Sequence, residues 1–318
     1  MSTYIIRRVL QSFIVIILLT FLVFTAMRLL PGDPLILYCT QGQMVNLEDE
    51  ELNRLRHEWG LDKPIPVQYF DWIVNVFQGN LGKSIVYSDN VSTLILERMP
   101  VTVYIGVTAI SLGAIIGITF GMLCALRRGK WIDTILTFLA NIGITAPPFW
   151  VGILLIYLLS LKLDWLPVQG YISPFKDLWM SIKSIIMPVF CLSLFCLASM
   201  ARQTRSSMLE VVRQDYIRTA LSKGLKERVI VLRHTIKNAM IPVITMLGMQ
   251  VRVAFGGSVI IETVFNVPGF GRLMVEAVFT QDYQIVQGGV MIIASIILFA
   301  NLLIDISYAW LDPRIRYS

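Results

Sequence analysis

Charge is scarce in this sequence: 15% of its 318 residues are charged, while 56% are hydrophobic. The apolar residues fall in long blocks rather than at the spacing of an amphipathic core, which excludes an ordinary soluble domain. Histidine is nearly missing, with only His57 and His234 present. They fall on opposite sides of the membrane in the topology below, so they cannot share a catalytic site. The four cysteines, Cys39, Cys124, Cys191 and Cys196, form no CxxC pair and no ligand-like spacing, which argues against a structural metal site and leaves them as packing residues. No GxxxxGK[ST] phosphate loop occurs, so the chain carries no nucleotide site of that kind. An internal repeat is also missing, which weakens an inverted-repeat architecture.

What is present is a set of six apolar stretches, each close to the ~20 residues needed to cross a bilayer core. They are predicted at 9–27, 101–126, 134–161, 184–201, 239–261 and 285–311. The first follows Arg7 and Arg8, but residues 28–34 (RLLPGDP) offer no small-x-small cleavage site, so a retained span is expected rather than a signal peptide. Basic residues cluster at the N-terminus, at Arg127, Arg128 and Lys130, along 202–237, and at Arg314 and Arg316. With six spans these regions share one face, so both termini are expected in the cytoplasm. Lys162, Lys176 and Lys183 on the opposite side run against this pattern.

The division expected along the chain is a first helix in 1–30, an extracytoplasmic segment at 31–100 and a five-helix core at 101–318. Within the extracytoplasmic segment, 47–60 reads as a short amphipathic helix and 67–77 as an interfacial one, with Tyr69, Trp72 and Phe77 suited to the headgroup zone. That segment either caps the bundle or docks an extracytoplasmic partner. Pro147 and Pro148 interrupt the third stretch, and Pro188 and Pro242 fall in the fourth and fifth; such breaks persist where freed carbonyls meet protein or water. Pro188 and Pro242 are equally well read as plain packing kinks. Arg252 lies inside the fifth stretch, where a charge is costly. It either faces the bundle interior, gating a path or attracting an anionic solute group, or pairs with an acid or carbonyl of a partner chain. Pro147, Pro148, Arg252, Gly256 and Gly257 are the candidate pathway residues. Glu262 and Asp305 are expected to be structural. Segment 263–283, with Pro268, Gly269, Gly271 and Arg272, is expected to form a hairpin at the outer mouth, a candidate gate.

The stretch 202–237 is too long for a turn and too charged for the bilayer, so it asks for a soluble partner. Its centre, Asp215–Leu225 (DYIRTALSKGL), begins with an acid and has a glycine where a helix would stop, predicting a short helix that ends at Gly224.

This centre resembles the coupling loop of ATP-binding-cassette importer permeases, in the version of the dipeptide, oligopeptide and nickel permease family. The resemblance extends over nearly the whole chain. It is carried by 28–34 (RLLPGDP), 61–69 (LDKPIPVQY), Asp215 to Gly224, His234 with Asn238 and Pro242, 262–265 (ETVF), 268–273 (PGFGRL) and 311–314 (LDPR). Arg218 and Thr219 stand where the wider superfamily carries Glu and Ala, which leaves the anchoring of the helix open. The resemblance implies an all-α membrane protein with the type I importer permease fold, resident in a prokaryotic inner membrane. Asp215, Tyr216, Ile217, Arg218, Thr219, Ala220, Lys223 and Gly224 would meet an ATPase subunit, with Ala220 allowing close approach. The chain would bind no cofactor, with ATP and magnesium on the partner ATPases. Its partners would be a second, homologous permease, two ATP-binding subunits and an extracytoplasmic solute-binding protein. Peptides are the expected solute.

Three rivals remain in view. A nickel or metal-chelate importer belongs to the same family, yet the spans show no His or Cys cluster. A secondary transporter would need an acid or histidine relay at mid-depth, and a membrane enzyme would need converging nucleophile, base or metal ligands. Nucleic-acid binding is excluded because the basic residues follow membrane topology.

Overall fold

The computed structural model describes residues 2–29, 53, 54, 56, 57 and 60–311, with side chains described for 6–29, 53, 54, 56, 57 and 60–302. Most of the helix expected at 47–60, the 30–34 part of the 28–34 motif, the 312–314 part of the 311–314 motif, Cys39, Arg314 and Arg316 and the side chain of Asp305 lie outside the described residues. The described chain is helical, its sole β pairing an isolated bridge between Lys83 and Asn90. Five helices are long and apolar enough to cross a membrane, or six if one bent pair counts as a single span. Two compact units divide the chain, one from Met1–Val101 with Gly269–Phe299, the other mainly Thr102–Pro268.

In the first unit, α1 (Ser2–Leu29) meets α2 (Ile65–Phe77), which starts two residues before the expected interfacial helix because Pro64 and Pro66 suit a helix entry. The Tyr69 hydroxyl lies 2.9 Å from Thr20 Oγ1, and the Tyr69 ring meets Phe24 edge-on at 5.5 Å. The first turns of α3 (Val91–Leu126) join α9 (Phe270–Phe279) and α10 (Tyr283–Leu311) in an apolar core that includes Met27, Leu94, Phe270, Leu273 and Ile285. Helix α3 begins at Val91 rather than at 101 and accommodates Pro100 in its interior. Asp282 is fully buried just before α10; its carboxylate accepts from Ser84 Oγ at 2.6 Å and from the Val86 and Ile285 amides at 3.1 and 3.3 Å. It therefore caps α10 and ties down the loop before α3 with one side chain.

In the second unit, α4 (Trp131–Thr145) and α5 (Pro148–Leu155, continuing as a π-helix over Ile156–Lys162) meet at a bend of 102°. Ala146 and Pro147 each precede a proline and are therefore pushed to extended backbone, with ψ of 125° and 127°. Helix α6 (Leu178–Val211) starts earlier than its apolar stretch because Asp177 caps it, accepting from the Met180 amide at 3.0 Å. Pro188 is buried within it. Helix α7 (Asp215–Ser222) is followed by α8 (Glu227–Val264), which holds a π-helical stretch at Ile230–Thr235 and encloses Pro242.

Helices α3 and α6 pack backbone against backbone in this unit. Gly113, Gly117 and Gly121 recur every fourth residue. A β-carbon on Gly113 would lie 2.8 Å from the Ser193 carbonyl oxygen, and one on Gly121 would lie 2.5 Å from that of Ala201; one on Gly117 would overlap the Leu197 carbonyl. A helical glycine ordinarily costs about 1 kcal/mol relative to alanine. Here the stripe lets two backbones touch, which is how apolar helices associate where water supplies no driving force. Glu262 is fully buried on α8 and accepts from Thr102 Oγ1 at 2.7 Å, in keeping with a structural role.

Candidate coupling surface

Helix α7 is only eight residues long, so its ends decide whether it persists. Gly224 has φ of 73°, a left-handed conformation that suits glycine. The Gly224 amide donates to the Leu221 carbonyl at 2.9 Å, and the Leu225 amide donates to the Ala220 carbonyl at 3.4 Å. These two bonds make a Schellman closure and satisfy carbonyls that the helix end would otherwise orphan. Asp215 in the first turn complements the helix dipole at the other end.

Sidedness divides the residues predicted for this helix. Ile217 and Ala220 are buried and form a small apolar cluster with Ile230 of α8. Ala220 is thus small so that α7 can lie against its own chain. Asp215, Tyr216, Arg218, Thr219, Lys223 and Gly224 are exposed, as is Leu221. Asn238 Nδ2 donates to the Tyr216 hydroxyl at 3.0 Å and to the His234 carbonyl at 2.9 Å. The first turns of α8 therefore hold α7 from behind and leave its polar face free. Arg218 and Asp215 pair at 3.7 Å with both side chains largely exposed, a contact worth little in water.

A second feature, unmarked in the sequence, stiffens the base of α6. Arg205 donates through Nε to Asp133 Oδ1 at 2.8 Å and through a terminal nitrogen to Oδ2 at 2.9 Å. The Gly129 amide adds a bond to the same carboxylate at 3.0 Å. Such two-point pairing fixes orientation as well as distance, so the turn into α4 and the polar end of α6 move together. A cavity of about 720 Å³ lies beside this clamp, lined by residues including Asn141, Arg202, Glu210, Arg213 and Gln214. Arg205 was one basic residue among many in 202–237, and its acid lies 72 positions away in sequence. The available signal was local: Asp133 stands in the first turn of α4, just after Gly129.

The candidate pathway residues do not converge on one described cavity. Pro147 and Pro148 form the bend between α4 and α5. Arg252 is exposed on α8 and lines neither of the two cavities described here. A β-carbon on Gly256 would meet open space, whereas one on Gly257 would touch Leu192 at 3.4 Å, so the two neighbours serve different sides of α8. Among the candidate gate residues, Gly269 and Gly271 are buried at the start of α9. Arg272 pairs with Glu276 at 2.7 Å along α9, and Pro268 belongs to the second unit.

Comparison with known proteins covers both parts of the chain. Residues 117–317 match the family model described as binding-protein-dependent transport system inner membrane component, and residues 1–106 match the model of the N-terminal part of such membrane components. A Brucella abortus (strain 2308) protein named for a peptide transport system permease is 41% identical over 319 residues, spanning 100% of both chains. The oligopeptide transport system permease protein AppB of Bacillus subtilis (strain 168) is 39% identical over 320 residues, again covering 100% of each. Among solved structures, an amino acid ABC transporter crystallised with histidines aligns with a TM-score of 0.52 at 19% identity, covering 70% of this chain and 95% of that one. At that identity the likeness speaks to the fold.

Proposed function

Since the chain belongs to the family of binding-protein-dependent transport system inner membrane components, we propose that it is the permease subunit of an ATP-binding-cassette importer for peptides, with α7 as its coupling helix. It is a multi-pass protein of the bacterial inner membrane and not itself an enzyme; ATP is used by partner ATPase subunits. Full-length similarity to relatives named for peptide transport favours peptides over a metal chelate.

The observation that carries the coupling role is the two-sidedness of α7. Its inner face is pinned by Ile217, Ala220 and Asn238, and its closed C-terminal end gives a short rigid rod. Its outer face, with Thr219 and Leu221 exposed, has no occupant among the described residues. A rod held at the junction of two long helices transmits a push from a soluble motor, because α6 and α8 both run from its ends into the apolar core. In this reading both termini are cytoplasmic and a second permease completes the pathway. An extracytoplasmic binding protein delivers the peptide, and ATP-driven closure of two ATPases switches the permeases between outward and inward openings.

The test uses single cysteines in the complex purified from its own host. T219C and L221C should cross-link to an ATPase subunit and lose peptide-stimulated ATP hydrolysis when modified, while I217C should do neither. Cross-linking through I217C alone, or none through T219C and L221C, would reject α7 as the coupling element.

A further inference from the structure

The first unit holds a half-open polar cavity of about 280 Å³ at the C-terminal end of α1. Its lining includes Arg28, Gln68, Trp72, Gln284 and Gln287, and each presents a fully buried polar atom with no hydrogen-bond partner among the described residues. Three of these atoms are donors: Arg28 Nε, Trp72 Nε1 and Gln287 Nε2. Three are acceptors, the side-chain carbonyl oxygens of Gln68, Gln284 and Gln287. Gln287 is 2% exposed, so its amide cannot turn to solvent. Unmatched buried polar groups are rare in native proteins, and five side chains around one cavity mark a place built for something.

Charge narrows what that is. The Arg28 guanidinium lies between two rings, 5.1 Å from the Phe24 centroid and 5.0 Å from that of Tyr283, and no described carboxylate pairs with it. Cation–π contacts offset part of the cost of burying a cation. Water could satisfy the amides but cannot neutralise the guanidinium, whereas an oxyanion would do so through a charge-assisted hydrogen bond. The three orphan acceptors call for a donor as well, whereas Asp71 in the same cavity is already matched by Lys63 at 2.7 Å. A group with an oxyanion at one end and an ammonium at the other meets both demands. The volume falls just below the ~300–1,000 Å³ of pockets for drug-sized molecules, so the group is small.

Position identifies the source. Arg28 ends an apolar span, where headgroups lie, and Leu29 beside it is 71% exposed. Phe70 and Phe77 on α2 are likewise exposed apolar residues, as an interfacial helix requires. We propose that this cavity binds a phosphoethanolamine-type zwitterion, the headgroup of a membrane phospholipid, with its phosphate on Arg28 and its ammonium toward the glutamine carbonyls. The site is separate from the coupling helix and does not depend on its role.

The test is lipid retention by the full-length chain, with whatever subunits accompany it, after exhaustive detergent washing. Wild type should keep phosphatidylethanolamine in near-stoichiometric amount by mass spectrometry and retain it over phosphatidylglycerol when both are offered in mixed vesicles. Arg28→Gln and Gln287→Leu should each hold it at least about tenfold more weakly, as expected for loss of one charge-assisted or buried hydrogen bond. Gln287→Leu keeps the proposal testable if Arg28→Gln fails to fold, because an apolar side chain of similar size is well tolerated in an unoccupied cavity. Soluble O-phosphoethanolamine raising the thermal midpoint of lipid-free wild type, but not of Gln287→Leu, would support the same site filled from solution. Equal retention by wild type and both variants, with no response to O-phosphoethanolamine, would overturn it.

Discussion

The interiors of the two units solve opposite problems. In the second, three glycines bring α3 against the carbonyls of α6, and Arg205 is matched by a carboxylate held at two points. In the first, Arg28 rests near two aromatic rings beside a cavity in which five side chains carry polar atoms unmatched among the described residues. One arginine is part of a closed clamp and the other faces a space. A buried polar group that is satisfied rigidifies its surroundings, and one that is not waits for a partner.

The largest effect that would sharpen this contrast is expected at the glycine stripe. Gly117→Leu would force a side chain into the Leu197 carbonyl, and the cost should exceed ~4 kcal/mol, enough to eliminate folded protein. Monodispersity of the detergent-extracted chain on size exclusion reads this out, and a normal profile would show that the helices are not packed at contact distance. Next, Asp133→Ala strands Arg205. Because that arginine is 34% exposed, solvent softens the loss to about 2 kcal/mol, visible as a lower thermal midpoint. An added Arg205→Leu should recover part of it in a double-mutant cycle.

Arg28→Met should cost less, within ~1 kcal/mol in lipid-free protein, since it removes cation–π contacts and also a buried charge with no carboxylate partner among the described residues. A fall as deep as that of Asp133→Ala would erase the difference between the two arginines. The smallest change is expected for Gln287→Leu in lipid-free protein, between no change and a gain of ~1 kcal/mol, because an unsatisfied amide is exchanged for a side chain of similar size.

Much of the architecture was legible beforehand because lipid imposes a simple rule of about twenty apolar residues per crossing. The third stretch was read as one span broken at Pro147 and Pro148, and the bend lies there because both Ala146 and Pro147 precede a proline. Helix α7 and its stop at Gly224 were also readable, since capping depends on neighbouring residues. The span limits at Val91 and Leu178 were missed because polar and apolar residues outside the hydrophobic block joined the helix, one of them secured by the Asp177 cap. Ala220 was assigned to a partner, and its burial against Ile230 became visible only once α8 was in place.

The sequence alone determined that this protein lives in a membrane and that a short capped helix stands between two long ones. Each of these follows from local composition or from residues within one helical turn of each other. Only the tertiary structure decided that Arg205 is matched and that Arg28 meets no carboxylate among the described residues. Asp133 and Arg205 are 72 positions apart, and the groups around Arg28 come from α1, α2 and α10. Pairing of charges across such separations depends on how apolar helices pack, and hydropathy, which treats all buried surface alike, carries no record of it.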